Sequence, residues 1–231
     1  MKITVTAITI FVFVFFVCLD AQENVLDSTR LLVPQTYATI QAAINASTHG
    51  DTVLVSDGTY MENIRYFGKA ITVASYFLID DDTLHIQNTI IDGSNPSHAD
   101  SGSVVYMIDG EDTTSVLCGF TITGGTGTPL HYAVRLVYRS GGGIFCYGVS
   151  GAKITNNRIT NNRIVDDESL GGGIIYGDKG LLILERNHIF KNHITATSGL
   201  AWGGGVEIIA DNNVRVRISE NIIEKDTVIA H

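Results

Sequence analysis

The chain has 231 residues, of which 45% are hydrophobic and 17% charged, so it is long enough for one domain with a substantial core. A formal net charge of −9, with no local cluster of Lys and Arg, argues against a nucleic-acid partner, whose phosphates would be repelled. The 24 glycines against three prolines, without the strict period of collagen, favour a turn-rich β architecture.

The N-terminal segment has the pattern of an export signal. Met1–Lys2 is a short basic start, Ile3–Leu19 is an apolar run, and Asp20–Gln22 provides a cleavage zone. We therefore expect residues 1–21 to be a signal peptide, and the mature protein to be secreted, extracellular or on the cell surface, without membrane contact. Two alternatives are a membrane anchor, for which the run is at the short limit, and a lipoprotein modified at Cys18.

Two cysteines remain after removal of the signal, Cys118 and Cys146. An exported protein can oxidise such a pair to one bridge, and buried free thiols packed inside the fold are the alternative. Two cysteines do not make the disulfide framework of a chain of this size.

The next segments are predicted to begin the fold. Residues 22–33 are expected to be an irregular lead-in, and residues 34–50 to hold a short capping helix, because apolar side chains recur there at helical spacing. Thr36 or Thr39 can cap the start of this helix, and Gly50 can end it in the left-handed conformation.

Residues 51–231 change to short runs rich in Val, Ile and Thr, separated by Gly, Asp, Asn and Ser, and these runs predict strands. Strands this short need a stack of neighbours to be stable. The first six are Thr52–Val55, Ala70–Ala74, Thr89–Ile91, Val104–Ile108, Val116–Leu117 and Phe120–Thr123.

A glycine-headed repeat indicates what the stack is. The triplets Gly141–Gly143, Gly171–Gly173 and Gly203–Gly205 recur at intervals of 30 and 32 residues. Each is followed by a strand, a turn and an Asn-marked bend, so one unit forms one coil of a solenoid. The repeated bend residues, whose amides can form a ladder from coil to coil, are Asn157, Asn187 and Asn221, with Asn162 and Asn192 closing the first two copies.

The segments Tyr37–Ile44, Gly50–Val55 and Gly119–Gly125, together with the Gly-Gly-Gly…Asn units, resemble secreted bacterial β-helix proteins of the pectin-lyase-like superfamily. The resemblance covers roughly residues 33–226. It implies an all-β, right-handed parallel β-helix with three short strands per coil, whose N-terminal end is closed by a short α-helix. No second cap is visible before His231, so we expect the chain to be truncated at its C-terminal end.

Function is not fixed by this resemblance, because the superfamily includes lyases, hydrolases, tailspikes and adhesins. The signatures of its polygalacturonases are missing: Asn88-Thr89 is followed by Ile90, and neither Gly-His-Gly nor Arg-Ile-Lys occurs. Catalytic residues therefore remain unknown. Insertions in a solenoid usually carry the binding face, and Tyr76–Asn88 and Pro129–Arg139 interrupt the regular coils.

Two sets of residues are candidate sites. Asp80, Asp81 and Asp82 could hold Ca²⁺, a hard cation that prefers carboxylate oxygens, although the pattern requires no cofactor; an ordinary acidic loop is the alternative. Arg158, Arg186 and His188 could bind an acidic sugar, and the alternative is a solvated outer face.

The sequence thus predicts a secreted or cell-surface β-helix module that contacts extracellular polysaccharide or serves an architectural or adhesive role. The alternative is a carbohydrate-active enzyme, such as a polysaccharide lyase, whose groove lies partly in C-terminal coils beyond this chain.

Overall fold

The computed structural model describes residues 29–133, 136–149, 151–210 and 213–231. The predicted signal peptide, residues 1–21, lies outside these ranges. The described residues form a stack of parallel coils in which corresponding strands pair from one coil to the next. In this part of the chain, the helices are too short to cross a membrane.

Three sheets run along the stack. Sheet 1 consists of β1 (Arg30–Val33), β2 (Thr52–Val55), β5 (Thr72–Ser75), β8 (Val116–Cys118), β13 (Gly151–Thr155), β18 (Gly180–Glu185) and β23 (Val214–Ser219). Sheet 2 consists of β3 (Gly58–Tyr60), β6 (Thr89–Asp92), β9 (Thr121–Thr123), β14 (Arg158–Thr160), β19 (His188–Phe190) and β24 (Ile222–Glu224). Sheet 3 consists of β4 (Ile64–Arg65), β7 (Val105–Met107), β12 (Ile144–Tyr147), β17 (Ile174–Gly177) and β22 (Val206–Ile209).

Two smaller sheets flank these three. Sheet 4 consists of β10 (Thr128–Ala133), β11 (Leu136–Ser140), β16 (Ser169–Leu170) and β21 (Ala201–Trp202). Sheet 5 consists of β15 (Arg163–Asp166), β20 (His193–Ala196) and β25 (Thr227–Ala230). The predicted strand Thr52–Val55 has the expected bounds, and the other five predicted strands shift by one or two residues at their ends.

The predicted irregular lead-in, residues 22–33, is wrong in its last four residues. Arg30–Val33 forms a strand because each of its residues pairs in parallel register with one of Thr52–Val55, at the open edge of sheet 1. A short stretch with no repeat partner in the sequence thus gains its conformation from a neighbour on another coil.

The capping helix within residues 34–50 is present but shorter than predicted: α1 spans Ile40–Ala46. The hydroxyl of Thr39 accepts a hydrogen bond from Ala42 N at 3.0 Å, so the predicted N-cap is confirmed. The prediction that Gly50 ends the helix is wrong, because the C-cap is Ser47 in an extended conformation.

The insertion Tyr76–Asn88 contains two further helices, α2 (Phe77–Asp80) and α3 (Thr83–Asn88). The carboxylate of Asp82 accepts a hydrogen bond from Leu84 N at 2.9 Å and so caps α3. These two helices were not predicted from the sequence, since helices this short have too few residues to show a period.

The interruption Pro129–Arg139 is an antiparallel hairpin of β10 and β11 rather than a loop. It covers the outer face of sheet 3, where it buries a second apolar cluster separate from the interior of the coils. The buried members of this cluster are Tyr106, Leu130, Tyr138, Phe145, Leu170 and Ile175.

The interior of the coils is filled by stacked aliphatic side chains that alternate with outward residues along each strand. Ile159 and Ile189, for example, are fully buried and lie opposite each other on β14 and β19. Cys118 and Cys146 are both buried free thiols, which is the unbridged alternative of the sequence prediction. Burial raises the pKa of the Cys146 thiol well above its ordinary value, so it packs as a small apolar group.

The predicted asparagine ladder is confirmed. Asn157 donates from its Nδ2 to Asn187 Oδ1 at 3.1 Å, and Asn187 donates to Asn221 Oδ1 at 3.0 Å. A second ladder runs from Asn162 to Asn192 at 2.9 Å. Buried amides are satisfied in this way from coil to coil, which fixes the register of the stack.

Candidate functional site

A cleft of about 170 Å³ opens between helix α3 and the outer face of sheet 2. We call it the α3 cleft. Helix α3 supplies one wall, and two successive coils supply the other. Its lining consists of Thr83, Ile86 and Gln87 from α3, and Asn156, Asn157, Arg158, Arg186 and His188 from the coils.

The strand geometry places two of the predicted sugar-binding residues side by side. Arg158 on β14 and His188 on β19 are register partners, and each precedes a fully buried Ile. Because successive side chains on a strand point to opposite faces, both side chains point outward toward α3. Parallel neighbouring strands are about 4.8 Å apart, so the two groups can reach one ligand.

Arg186 reaches the same cleft from a bend rather than from a strand. It has a positive φ of 52°, as does its counterpart Asn156 one coil earlier, at 56°. Arg186 Nε donates to Asn156 Oδ1 at 3.2 Å, and its guanidinium lies 3.9 Å from carboxylate oxygens of both Glu185 and Glu220. The Arg186 side chain is half exposed and both ion pairs are long, so the guanidinium remains accessible to a ligand.

An aromatic ring orders Arg158 and His188 beside the cleft. The guanidinium of Arg158 lies 5.0 Å from the centre of the Phe190 ring, and the imidazole of His188 stacks on the same ring with centroids 4.2 Å apart. His188 Nε2 also lies 3.1 Å from Glu224 Oε1. These contacts reduce the number of conformations open to Arg158 and His188 before any ligand arrives.

The electrostatic character of the cleft differs from that of the whole chain. None of its lining residues is acidic, whereas the chain as a whole carries a formal charge of −9. Among the residues that the structure describes, Arg158 forms no ion pair that would neutralise it. The arrangement therefore suits an anionic group that also offers hydrogen-bond acceptors.

Helix α3 is held against the coils by the imidazole of His85. Its Nδ1 lies 2.5 Å from Asp57 Oδ1 on the body of the stack, and its Nε2 lies 3.2 Å from Asp80 Oδ2 on α2. We call these three residues the His85 bridge. A second tether is the hydrogen bond from Thr121 Oγ1 on β9 to Ile86 O, at 2.7 Å.

The bridge shifts the pKa values of His85 and Asp57. The hydrogen bond to Asp57 raises the pKa of His85, outweighing burial, which acts in the opposite direction. Burial by itself would raise the pKa of Asp57, but hydrogen bonds from His85, Asn88 and Thr89 lower it overall. Both shifts favour the charged imidazolium–carboxylate pair.

The three predicted metal ligands do not converge. Asp82 caps α3, Asp80 Oδ1 accepts a hydrogen bond from Asp82 N at 2.9 Å, and Asp81 ends α2 with a positive φ of 60°. Over the described ranges, no group of three His, Cys, Asp or Glu side chains is arranged to hold a metal ion. Helix capping accounts for the carboxylate of Asp82 and the bond to His85 for that of Asp80. The tight turn between two short helices directs the three consecutive side chains apart.

The three predicted sugar-binding residues, in contrast, come together in the α3 cleft. Sequence reasoning did not identify α3 as the facing wall, nor the link between Asp57 and His85. Asp82 is a preferred N-cap residue directly before Thr83, so the sequence could have indicated the start of α3. No local signal connects residues 28 positions apart, so the bridge could not have been found without the structure.

Comparison with known proteins agrees with the architecture. The model of a family described as a right handed beta helix region matches residues 77–230, which is about two thirds of the chain. No curated protein matches significantly, and no solved structure does either.

Proposed function

The chain belongs to the right-handed β-helix family, and we propose that it is an extracellular module that binds an acidic polysaccharide in the α3 cleft. The observation that carries the proposal is the gathering of Arg158, Arg186 and His188 in a cleft without acidic lining, on an otherwise acidic protein.

The chemistry of the cleft favours a carboxylated or sulfated sugar over a neutral one. Two guanidinium groups offer the planar, bidentate geometry that carboxylates and sulfates accept. Gln87 adds an amide group that suits hydroxyl groups on the same ring. An open cleft of this size accommodates part of a chain and leaves the rest to run along the stack.

The location outside the cell rests on the N-terminal pattern of residues 1–21. A module that binds an acidic glycan at the cell surface would serve an adhesive or architectural role. Incubation with the same glycans, with and without Ca²⁺, also tests the enzymatic alternative, since a lyase would release an unsaturated product.

The proposal is tested by replacing the cleft arginines. Arg158→Gln and Arg186→Gln are each expected to weaken binding of polygalacturonate by about five- to tenfold, because each removes a charge-assisted contact. Binding should also weaken as salt is raised from about 50 to about 300 mM, since exposed ion pairs are screened. Isothermal titration or affinity electrophoresis gives both results.

Arg163→Gln is the matched control. Arg163 occupies the same Asn-Arg-Ile context five residues later and carries the same charge, but it lies on β15, outside the cleft. Equal loss of affinity in all three variants would show that binding depends only on the net charge of the protein. Unchanged affinity in the two cleft variants would show that the glycan does not bind in the α3 cleft. Failure to bind any acidic glycan would leave the architectural role.

A further inference from the structure

We propose that the His85 bridge is a proton-controlled lock that holds helix α3 in place and thereby sets the affinity of the α3 cleft. This inference concerns regulation of the cleft and, for its ligand, rests on the proposed function. Its mechanical part, the proton-dependent holding of α3, does not depend on any ligand.

The geometry makes the imidazole the connection between two parts of the molecule. Asp57 lies in the turn between β2 and β3, on the regular coils, whereas Asp80 and His85 lie on the insertion. When both ring nitrogens carry a proton, each can donate to a carboxylate, at 2.5 Å to Asp57 and 3.2 Å to Asp80. A neutral imidazole carries one proton and can donate to only one of them.

Asp57 and Asp80 are the charged groups that contact the imidazole of His85 among the described residues. Besides them, Tyr76 at the start of the insertion faces His85 with ring centroids 6.0 Å apart. Helix α3 has no other charged residue. On β6, which packs beside α3, the carboxylate of Asp92 accepts from Ser94 N instead, and β9 carries only Thr and Ile.

The carboxylate of Asp57 ties the bridge to the end of α3. Its Oδ2 accepts from Asn88 Nδ2 at 3.3 Å, and its Oδ1 accepts from Thr89 Oγ1 at 3.3 Å. The last turn of α3 is therefore attached to the same carboxylate as His85. Loss of the bridge would loosen the helix as a unit, because a helix of six residues has little stability without tertiary contacts.

Helix α3, which the His85 bridge holds, also forms one wall of the α3 cleft. Thr83, Ile86 and Gln87 line the cleft, and His85 lies between them in the sequence. A loosened α3 therefore presents a less ordered wall, and the ligand must supply the ordering free energy on binding.

The direction of the pH effect follows from the shifts at His85 and Asp57. The pKa of His85 is raised, so its contribution is fully present below the ordinary value of 6.5 and is lost as the pH rises through the raised value. The pKa of Asp57 is lowered, so its contribution is present above 3.8 and is lost as the pH falls through the lowered value. Between the lowered pKa of Asp57 and the raised pKa of His85, both groups are charged and the bridge holds α3 in place.

The ligand-free test is hydrogen exchange of the α3 amides. After correction for intrinsic exchange, the wild-type protein should protect these amides about tenfold more at about pH 5.5 than at about pH 8, because the neutral imidazole loses one charge-assisted hydrogen bond. His85→Gln should abolish this difference, and Asp80→Asn should reduce it. His98→Gln, at an exposed histidine in another loop, should retain it.

Equal protection of α3 at both pH values in the wild-type protein would overturn the proposal, as would a difference that survives in His85→Gln.

The second experiment measures glycan binding. Polygalacturonate should bind more tightly at about pH 5.5 than at about pH 8, and His85→Gln should reduce the ratio of the two affinities. A pH-dependent α3 without glycan binding would support the lock and reject the proposed function. If the ratio of glycan affinities at the two pH values is the same in His85→Gln as in the wild-type protein, the His85 bridge does not control the affinity of the α3 cleft, and the coupling is rejected.

Discussion

The second ladder of amides ends on a carboxylate. Asp226 takes the place of Asn162 and Asn192, and its Oδ1 accepts from Asn192 N at 2.7 Å and from Asn192 Nδ2 at 3.0 Å. Its Oδ2 is buried and has no hydrogen-bond partner among the described residues, because it occupies the position where the asparagines have a donor. Burial, only partly offset by the bonds from Asn192, raises the pKa of Asp226.

Asp226→Asn is therefore expected to stabilise the fold. The pKa of Asp226 is raised, so its negative charge costs stability once the pH exceeds the raised value, and no cost remains well below 3.8. An amide at this position gains a hydrogen bond worth about 1 kcal/mol. Urea denaturation at about pH 7 should show the gain and at about pH 3 should not; a loss of stability at neutral pH would contradict the argument.

At the scale of the structural element, the glycine triplets show why the repeat begins with glycine. They are not strands themselves but the turns that lead into β12, β17 and β22. The backbones of stacked triplets bond directly, as from Gly143 N to Gly172 O at 3.3 Å and from Ile144 N to Gly173 O at 2.9 Å. A Cβ on Gly143 would lie 2.6 Å from Gly173 O and 2.9 Å from Asn162 Nδ2, so a side chain cannot fit.

Gly143→Ala is expected to destabilise the fold by about 3 kcal/mol, because backbone and ladder atoms must move to admit the methyl group. Gly110→Ala separates this effect from backbone strain: Gly110 has a φ of 95° but nothing within 4 Å of an added Cβ. That variant should cost only about 1 kcal/mol. Gly143 itself has no positive φ, so close approach is the only cost expected there. Chemical denaturation compares the two variants, and a loss in Gly143→Ala no larger than in Gly110→Ala would contradict the argument from close approach.

At the scale of the whole molecule, α1 covers the N-terminal end of the coils, and two charged side chains bind the two ends of this helix. Glu62 accepts hydrogen bonds from Ile40 N and Gln41 N, both at 2.9 Å. Lys69 Nζ donates to three carbonyl oxygens at the other end of the helix, those of Ile44, Asn45 and Ser47, at 2.6 to 2.9 Å. Each charge has the sign that complements its end of the helix dipole, so a helix of seven residues is held over the core.

Lys69→Met is expected to lower the free energy of unfolding by about 2 kcal/mol, because three carbonyl groups lose a charged donor. Lys179→Met, at an exposed lysine on a turn, should change it by less than about 0.5 kcal/mol. Thermal denaturation of both variants measures the difference. A loss in Lys69→Met no larger than in the control would show that apolar packing alone holds α1.

The sequence by itself determined the repeating part of this protein, namely the stacked coils and the asparagine ladder, and it also indicated the capping helix, with Thr36 or Thr39 at its start. These features follow from local patterns that recur with each coil, and the same physical requirement selects the same residue type each time. Arg158 and His188 of the cleft could be named for the same reason, since they hold equivalent positions in successive units.

Only the tertiary structure decided what faces these residues. The wall formed by α3, the bond between His85 and Asp57, the hairpin over sheet 3 and the strand Arg30–Val33 all depend on partners distant in sequence. None of them recurs, so no period marks them. Their conformations are set by tertiary contacts, which override the weak local preferences of short segments.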